Sequence, residues 1–398
     1  MGYIQKGTKA FRYANLALFA GAFSTYANLY MTQPILPALS KQFGVSPAVA
    51  SLSLSLTTLT LAIAMLITGS LSEAWGRKPI MTFSMIAVGV LSLAIGFAPN
   101  FDTLLMLRVI QGVVFAGLPA IAMAYLSEEM DPKSLGTAMG LYISGNSIGG
   151  LAGRVIMGSM TDAFNWHVSM ISIGVVSILL AIAFTVLLPA STHFEKKKLA
   201  FKPLFQSMVA HMKDPALLLL FGVGFILMGS FVTLYNYIGF ELVAEPYNLS
   251  QTLVGFIFLL YLVGTFSSTY MGRLADSHGR FSILLIAFLL MLIGACLTLN
   301  GLLALKIVGI ALFTFGFFGG HSIASGWVGA HATHDKAQAS SLYLFFYYVG
   351  SSIGGTVGGL FFIHFGWLGV ITMIAIFLLL GICFTYILHH YTKKSVAS

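Results

Sequence analysis

Apolar residues in this chain come in blocks of about twenty, separated by short polar gaps. A bilayer core about 30 Å thick takes ~20 helical residues to cross. A backbone in lipid must satisfy its own polar groups, so only helices or a closed barrel can span. Barrel strands would alternate over segments of about ten residues, and these blocks are longer and continuously apolar. "SLSLSLTTLTLAIAM" alternates at first but runs on unbroken, and reads as helix. Only 8% of the residues are charged and 58% are apolar, where a soluble domain carries about 25% charged.

The blocks predict an all-α membrane protein with spans at 14–38, 48–72, 79–98, 102–126, 136–161, 166–189, 216–240, 252–273, 281–300, 303–327, 338–363 and 367–390. The longest loop divides these into an N-terminal six-helix bundle, 1–189, a linker, 190–215, and a C-terminal six-helix bundle, 216–398. Within the linker, "FKPLFQSMVAHM" is amphipathic and suits the membrane interface. The first apolar block is too long for a signal peptide and lacks a small-residue cleavage site.

The net charge of +8 reads as topology. Of 20 Lys and Arg, Arg108 and Arg154 fall inside spans, and Lys41 and Lys306 fall in loops on one side. All the others, from Lys6 and Lys9 through Lys197 and Lys198 to Lys393 and Lys394, fall on the side of the termini. By the positive-inside rule that side is cytoplasmic. A nucleic-acid partner is not implied; the basic side meets anionic lipid. Cys296 and Cys383 lie in spans with no metal-like neighbours. HExxH and P-loop patterns are absent from the sequence, and its two GxSxG strings, at 145–149 and 350–354, fall inside apolar spans and form no strand-to-helix elbow, so an enzyme, a metal site and direct ATP drive are all unsupported.

The two halves repeat at a nearly constant offset. "GSLSEAWGRK" from Gly69 answers "GRLADSHGRF" from Gly272; "GNSIGGLAG" from Gly145 answers "GSSIGGTVGG" from Gly350; "FGVS" at Phe43 answers "YNLS" at Tyr247. Parallel repeats of this kind are built to rock about a midplane site.

On these residues the chain resembles the major facilitator superfamily over essentially its whole length. Gly69, Leu71, Glu73, Gly76, Arg77 and Lys78 match its motif A, with Glu for the usual Asp. Gly272, Leu274, Asp276, Gly279 and Arg280 form a weaker copy. "RVIQG", Arg108 to Gly112, matches motif B. "QPILP" resembles the proline pair closing span 1 in twelve-span drug:proton antiporters. Gly136, Gly145, Gly149 and Gly153 keep the spacing of the antiporter motif C, but Gly150 stands where proline is usual and Arg154 where the last glycine is usual. Such spacing also serves ordinary small-residue helix packing. The nearest branch by these motifs is the acriflavine-resistance type of bacterial efflux protein. The resemblance implies a monomeric cytoplasmic-membrane transporter driven by the proton gradient, without cofactors.

Physical reading assigns roles to particular residues. Glu73 can meet a helix N-terminus, where a carboxylate is favourable, and Arg77 can pair with Glu128, Glu129 or Asp131. Together they would latch the cytoplasmic side; the bland alternative is a solvated turn. A charge at mid-bilayer costs from ~3 kcal/mol upward and usually faces a cavity or partner. Arg108 acts by polarity, since guanidinium stays protonated, with Gln33 and the backbone freed by Pro34 and Pro37 as expected partners. The resemblance gives it a part in proton coupling. Arg154 can snorkel outward, pair with Asp162, or face the cavity and hold an anionic group or Glu241. Tyr26, Tyr30 and Gln33 share a helix face; Tyr235, Asn236 and Tyr237 cluster in span 7; Asn146 lies four residues after Tyr142, and Tyr347 four after Tyr343. These suit an amphipathic ligand, or else an interfacial aromatic belt. His321, Glu241 and Asp162 are the candidate proton carriers, His321 because histidine titrates near neutrality.

The expected function is therefore proton-coupled export of a small amphipathic drug or metabolite. The absence of a deep carboxylate also admits an anionic or zwitterionic metabolite or chelator bound by Arg108 and Arg154. Import by symport is the remaining alternative.

Overall fold

Proline and glycine cut the apolar blocks into helices where their backbone chemistry demands it. In the computed structural model, which describes residues 2–194, 196 and 201–397, the chain is almost entirely helical. Lys197 and Lys198 lie outside the described residues, as do the side chains of Lys393 and Lys394. The first segment runs as α1 (Lys9–Leu29), a short 3₁₀ turn at Gln33–Ile35 and α2 (Leu36–Phe43). Pro34 lacks an N–H and its ring collides with the carbonyl four residues back, so α1 stops before it. Pro119 likewise separates α5 (Phe101–Phe115) from α6 (Pro119–Glu129).

The other helices are α3 (Pro47–Trp75), α4 (Arg77–Gly96), α7 (Pro132–Ala163), α8 (Trp166–Leu187), α9 (Phe201–Met212), α10 (Pro215–Val243), α11 (Gln251–Ile257), α12 (Tyr261–His278), α13 (Arg280–Leu297), α14 (Leu303–His331) and α15 (Lys336–Ala397). Gly366 breaks α15 into two with φ 59°. Polar side chains start many of them. Asn100 accepts from Thr103 N, Asn165 from Val168 N, and Asp214 from Ala216 N and Leu217 N, as N-caps do.

Nine helices among the described residues are long and apolar enough to cross a membrane. The last of them is the one Gly366 divides; with the α1–α2 segment and the glycine-rich α7, twelve segments result. Lys306, counted among the loop charges although it falls near the start of the span read at 303–327, lies inside α14 and is 2% exposed. The carboxylate and the two aromatic rings described below make that placement tolerable.

The chain forms two compact units. Unit 1 comprises Met1–Leu39, Leu56–Phe201 and Gln251–Gly255; unit 2 comprises Ser40–Ser55, Lys202–Ser250 and Phe256–Ser398. In unit 1, α1 packs on α7 and α4 on α8, over a core including Phe11, Leu18, Met85, Tyr125 and Phe184. In unit 2, α10 packs on α15, and α14 on α12 and α13. Phe83, Leu179 and Val186 remain exposed on unit 1, a surface suited to lipid rather than to water.

Candidate functional site

The break at Pro34 leaves carbonyls at the end of α1 without helical partners. Arg108 meets them. It is fully buried in α5, and its Nη1 donates to Asn28 O at 3.1 Å and its Nη2 to Leu29 O at 2.8 Å. A cation there also faces the negative end of the α1 dipole. Nη1 reaches Gln111 Oε1 at 2.7 Å, and Gln111 Nε2 donates to Ser92 Oγ at 2.7 Å. Ser92 Oγ in turn donates to Asn28 Oδ1, and Asn28 Nδ2 donates to Ser177 Oγ at 2.7 Å. A buried guanidinium is thus held by polar groups from α1, α4, α5 and α8. Asn28, Ser92, Gln111 and Ser177 were missed in the sequence; Gln111, three residues after Arg108 on one helix face, was the available signal.

Arg154 sits one layer away, on α7. Its Nε donates to Gln33 Oε1 at 2.9 Å and its Nη1 to Gly150 O at 2.7 Å. The guanidinium carbon lies 4.2 Å from the centre of the Tyr30 ring, a cation–π distance. A Cβ at Gly150 would stand 3.3 Å from that Nη1 and 3.9 Å from Tyr26 Cβ. Both departures from the motif C pattern therefore meet: the glycine at 150 leaves room for the arginine at 154. Asn146 is half-buried on the same helix.

The other motif C glycines make the α1–α7 seam. A Cβ at Gly145, Gly149 or Gly153 would come within 3 Å of the backbone of Phe19, Phe23 or Ala27 respectively. Gly136 faces open space. At the far end of α7, Asp162 accepts from Gln251 N at 3.1 Å and Thr252 N at 2.6 Å, capping α11.

Motif A forms the turn between α3 and α4. Gly76 has φ 102° and Gly279, in the second copy, φ 87°, a region that side chains disfavour. Of the three carboxylates expected near Arg77, Glu128 takes it in a two-pronged pair at 2.7 and 3.1 Å. Arg77 also donates to Ser72 Oγ and lies 3.9 Å from Glu73. Gly69 lies in the last two turns of α3, and a Cβ there would meet nothing within 4 Å. In the second copy Asp276 is exposed and Arg280 half-buried.

Unit 2 gathers the aromatic candidates. His321 Nδ1 lies 2.9 Å from Tyr343 Oη, and its ring centre is 4.6 Å from that of Tyr347. Tyr235 Oη is 2.7 Å from Thr314 Oγ1; Asn236 is buried beside Gly355. Glu241, read as a partner for Arg154, gives its carboxylate to Lys306 at 2.9 Å. Tyr247 and Trp367 flank that lysine with ring centres at 5.2 and 5.3 Å.

A repeated helical chain with a buried arginine at the broken end of its first span, and glycine seams in both halves, matches one known family. A model of the Major Facilitator Superfamily covers residues 18–242 and 223–397. The chain belongs to that superfamily. Among its relatives is the MFS-type transporter YybF of Bacillus subtilis (strain 168), 53% identical over 96% of this chain and 95% of that one. The multi-drug resistance efflux pump PmrA of Streptococcus pneumoniae (TIGR4 strain) is 27% identical over 87% and 88%. The crystal structure of a bacterial homolog of the human lysosomal transporter Spinster shares the fold, with TM-score 0.80 over 98% and 99% of the chains at 16% identity. This superfamily member is thus a multi-pass membrane transporter, and the pseudo-symmetric two-bundle architecture expected from the repeats is its fold.

Proposed function

We propose that the chain is a secondary active exporter, moving a small amphipathic drug or metabolite out of the cell in exchange for protons by alternating access. The observation that carries this reading is the α1–α7 seam, in which antiporter-type glycines bring one helix onto the backbone of the other. The name of PmrA, an efflux pump, points the same way. In this reading Arg108 biases protonation nearby by its fixed charge, and Glu73 and Arg77 latch the cytoplasmic face. Asp162, Glu241 and His321 are the candidate proton carriers. Tyr26, Tyr30, Gln33, Asn146, Tyr235, Asn236 and Tyr347 supply the polar and aromatic contacts for substrate. The transporter sits in the cytoplasmic membrane as a monomer with both termini inside, draws on the proton gradient alone and needs no cofactor.

The contacts of Arg154 favour a second form of the same reading, a substrate with an anionic group. Its guanidinium is preset by Gln33 Oε1, Gly150 O and the Tyr30 face, and a preset guanidinium recognises carboxylates well.

Everted vesicles with an internal pH dye test both forms. Ethidium and benzoate are added separately after energisation. Proton release on either addition supports antiport, and the responding probe identifies the charge class. Silence to both, with accumulation of either probe by intact cells only when the protein is present, would replace export by import.

A further inference from the structure

The chain leaving α8 is threaded across one end of unit 1 by contacts the transport reading leaves unused. Lys78 Nζ donates to Leu188 O, and Tyr125 Oη to Pro189 O at 3.0 Å. Ser191 Oγ is buried with no hydrogen-bond partner among the described residues. Thr192 Oγ1 donates to Glu129 Oε2 at 2.8 Å and His193 N to Glu129 Oε1 at 2.9 Å. His193 Nδ1 lies 3.2 Å from the same carboxylate, and its ring stacks on Tyr3. Phe194 then covers Arg77, its ring centre 5.5 Å from the guanidinium carbon.

Glu129 is the fixed point of this arrangement. It is 1% exposed, and a carboxylate so placed needs donors to offset its lost hydration. Those named above come from residues 192 and 193. The N-terminal arm braces the same corner: Ile4 N donates to Glu129 O at 2.8 Å and Asp131 N to Ile4 O at 3.1 Å. Glu128, one residue earlier, holds Arg77. Covering Arg77, whose side chain is 8% exposed, keeps water from that side of the pair, and an ion pair strengthens as its surroundings become less polarisable.

We propose that Glu129 is a positioning residue for the Arg77 latch: it docks residues 188–194 as a strap whose Phe194 seals the Arg77–Glu128 pair. The proposal rests on reading Arg77 as a latch. If docking the strap favours the pair, the pair favours docking of the strap by the same factor, because coupling between two equilibria is reciprocal.

That reciprocity permits a test without a substrate. Ser191→Cys, placed in a Cys296→Ala/Cys383→Ala background, puts a thiol under the docked strap. The full-length protein in detergent is reacted with a maleimide dye. Glu129→Ala should speed labelling roughly tenfold, the scale of losing charge-assisted hydrogen bonds to a buried carboxylate. Arg77→Ala and Glu128→Ala should also speed it. Parental labelling in Glu129→Ala overturns the proposal. Fast labelling in Glu129→Ala with parental rates in Arg77→Ala and Glu128→Ala also overturns it, since Glu129 would then brace only its own corner. If Glu129→Ala does not fold, Thr192→Val/His193→Ala removes the two side-chain contacts to Glu129, leaves the His193 backbone N–H, and is read in the same direction with a smaller gain. Failure of ethidium or benzoate export leaves this labelling cycle readable, so the two claims fall separately.

Discussion

Gly149→Ala should test how tightly the glycine-rich α7 packs on α1. A Cβ at 149 would lie 2.3 Å from Phe23 O and 2.5 Å from Phe23 Cα. Ordinary contact begins near 3.4 Å, so the helices must part by about 1 Å. The obstacle is backbone, which has no rotamer to yield. Overpacking of a tight interior costs ~1–3 kcal/mol, and an immovable neighbour puts this site at the upper end. At roughly 2–4 °C per kcal/mol, Tm should fall by about 6–12 °C. Gly136→Ala, on the same helix and the same motif spacing, meets nothing within 4 Å. It should leave Tm unchanged or slightly raised, since alanine favours helix over glycine by ~1 kcal/mol. The assay is heating of the detergent-purified protein followed by size exclusion. A parental Tm for Gly149→Ala, or an equal fall for Gly136→Ala, would refute the seam argument.

Arg108→Ala should abolish transport of whichever probe responds, with substrate-free folding retained by size exclusion; parental flux would remove Arg108 from coupling. Lys306→Met strands the Glu241 carboxylate. Breaking a buried pair costs ~3–5 kcal/mol, less here because the Glu241 side chain is 25% exposed; adding Glu241→Leu should recover much of the Tm, and an unimproved double variant would count against a pairwise cost. Arg154→Ala should weaken benzoate flux more than ethidium flux, with equal losses pointing to a structural role.

The helical class, the twelve segments and the repeat were legible because lipid imposes segment length and apolarity on the chain itself. Motif A was legible for a similar reason: Gly76 and Gly279 mark turns that need positive φ. What stayed hidden depends on contacts distant in sequence. Nothing local to Lys306 announces Glu241, 65 residues away. Arg108 was visible as an isolated charge, but its partners Asn28 and Leu29 act through backbone carbonyls, which have no sequence signature. Glu129 looked interchangeable with Glu128, yet one turns to Arg77 and the other to residues 192 and 193.

The question of why an arginine stands at 154 has an internal comparison. Gly145, Gly149 and Gly153 pack on Phe19, Phe23 and Ala27; Gly350, Gly354 and Gly358 pack on Phe225, Gly229 and Thr233. By the same sequence register Met31, in the turn after α1, answers Tyr237, and Gly150 and Arg154 answer Gly355 and Gly359. In unit 1, Arg154 Nη1 donates to Gly150 O. In unit 2, Tyr237 Oη donates to Gly355 O, and a Cβ at Gly359 would collide with that same hydroxyl. Each unit thus places one bulky donor at the equivalent carbonyl, from opposite sides of the seam, and in unit 2 the facing position, Gly359, stays small. Arg154→Gly alone should leave that space empty and lower Tm. Arg154→Gly/Met31→Tyr should restore part of it, giving the non-additivity expected of residues that share one volume. Strict additivity of the two Tm changes would show that the two units fill this position for unrelated reasons.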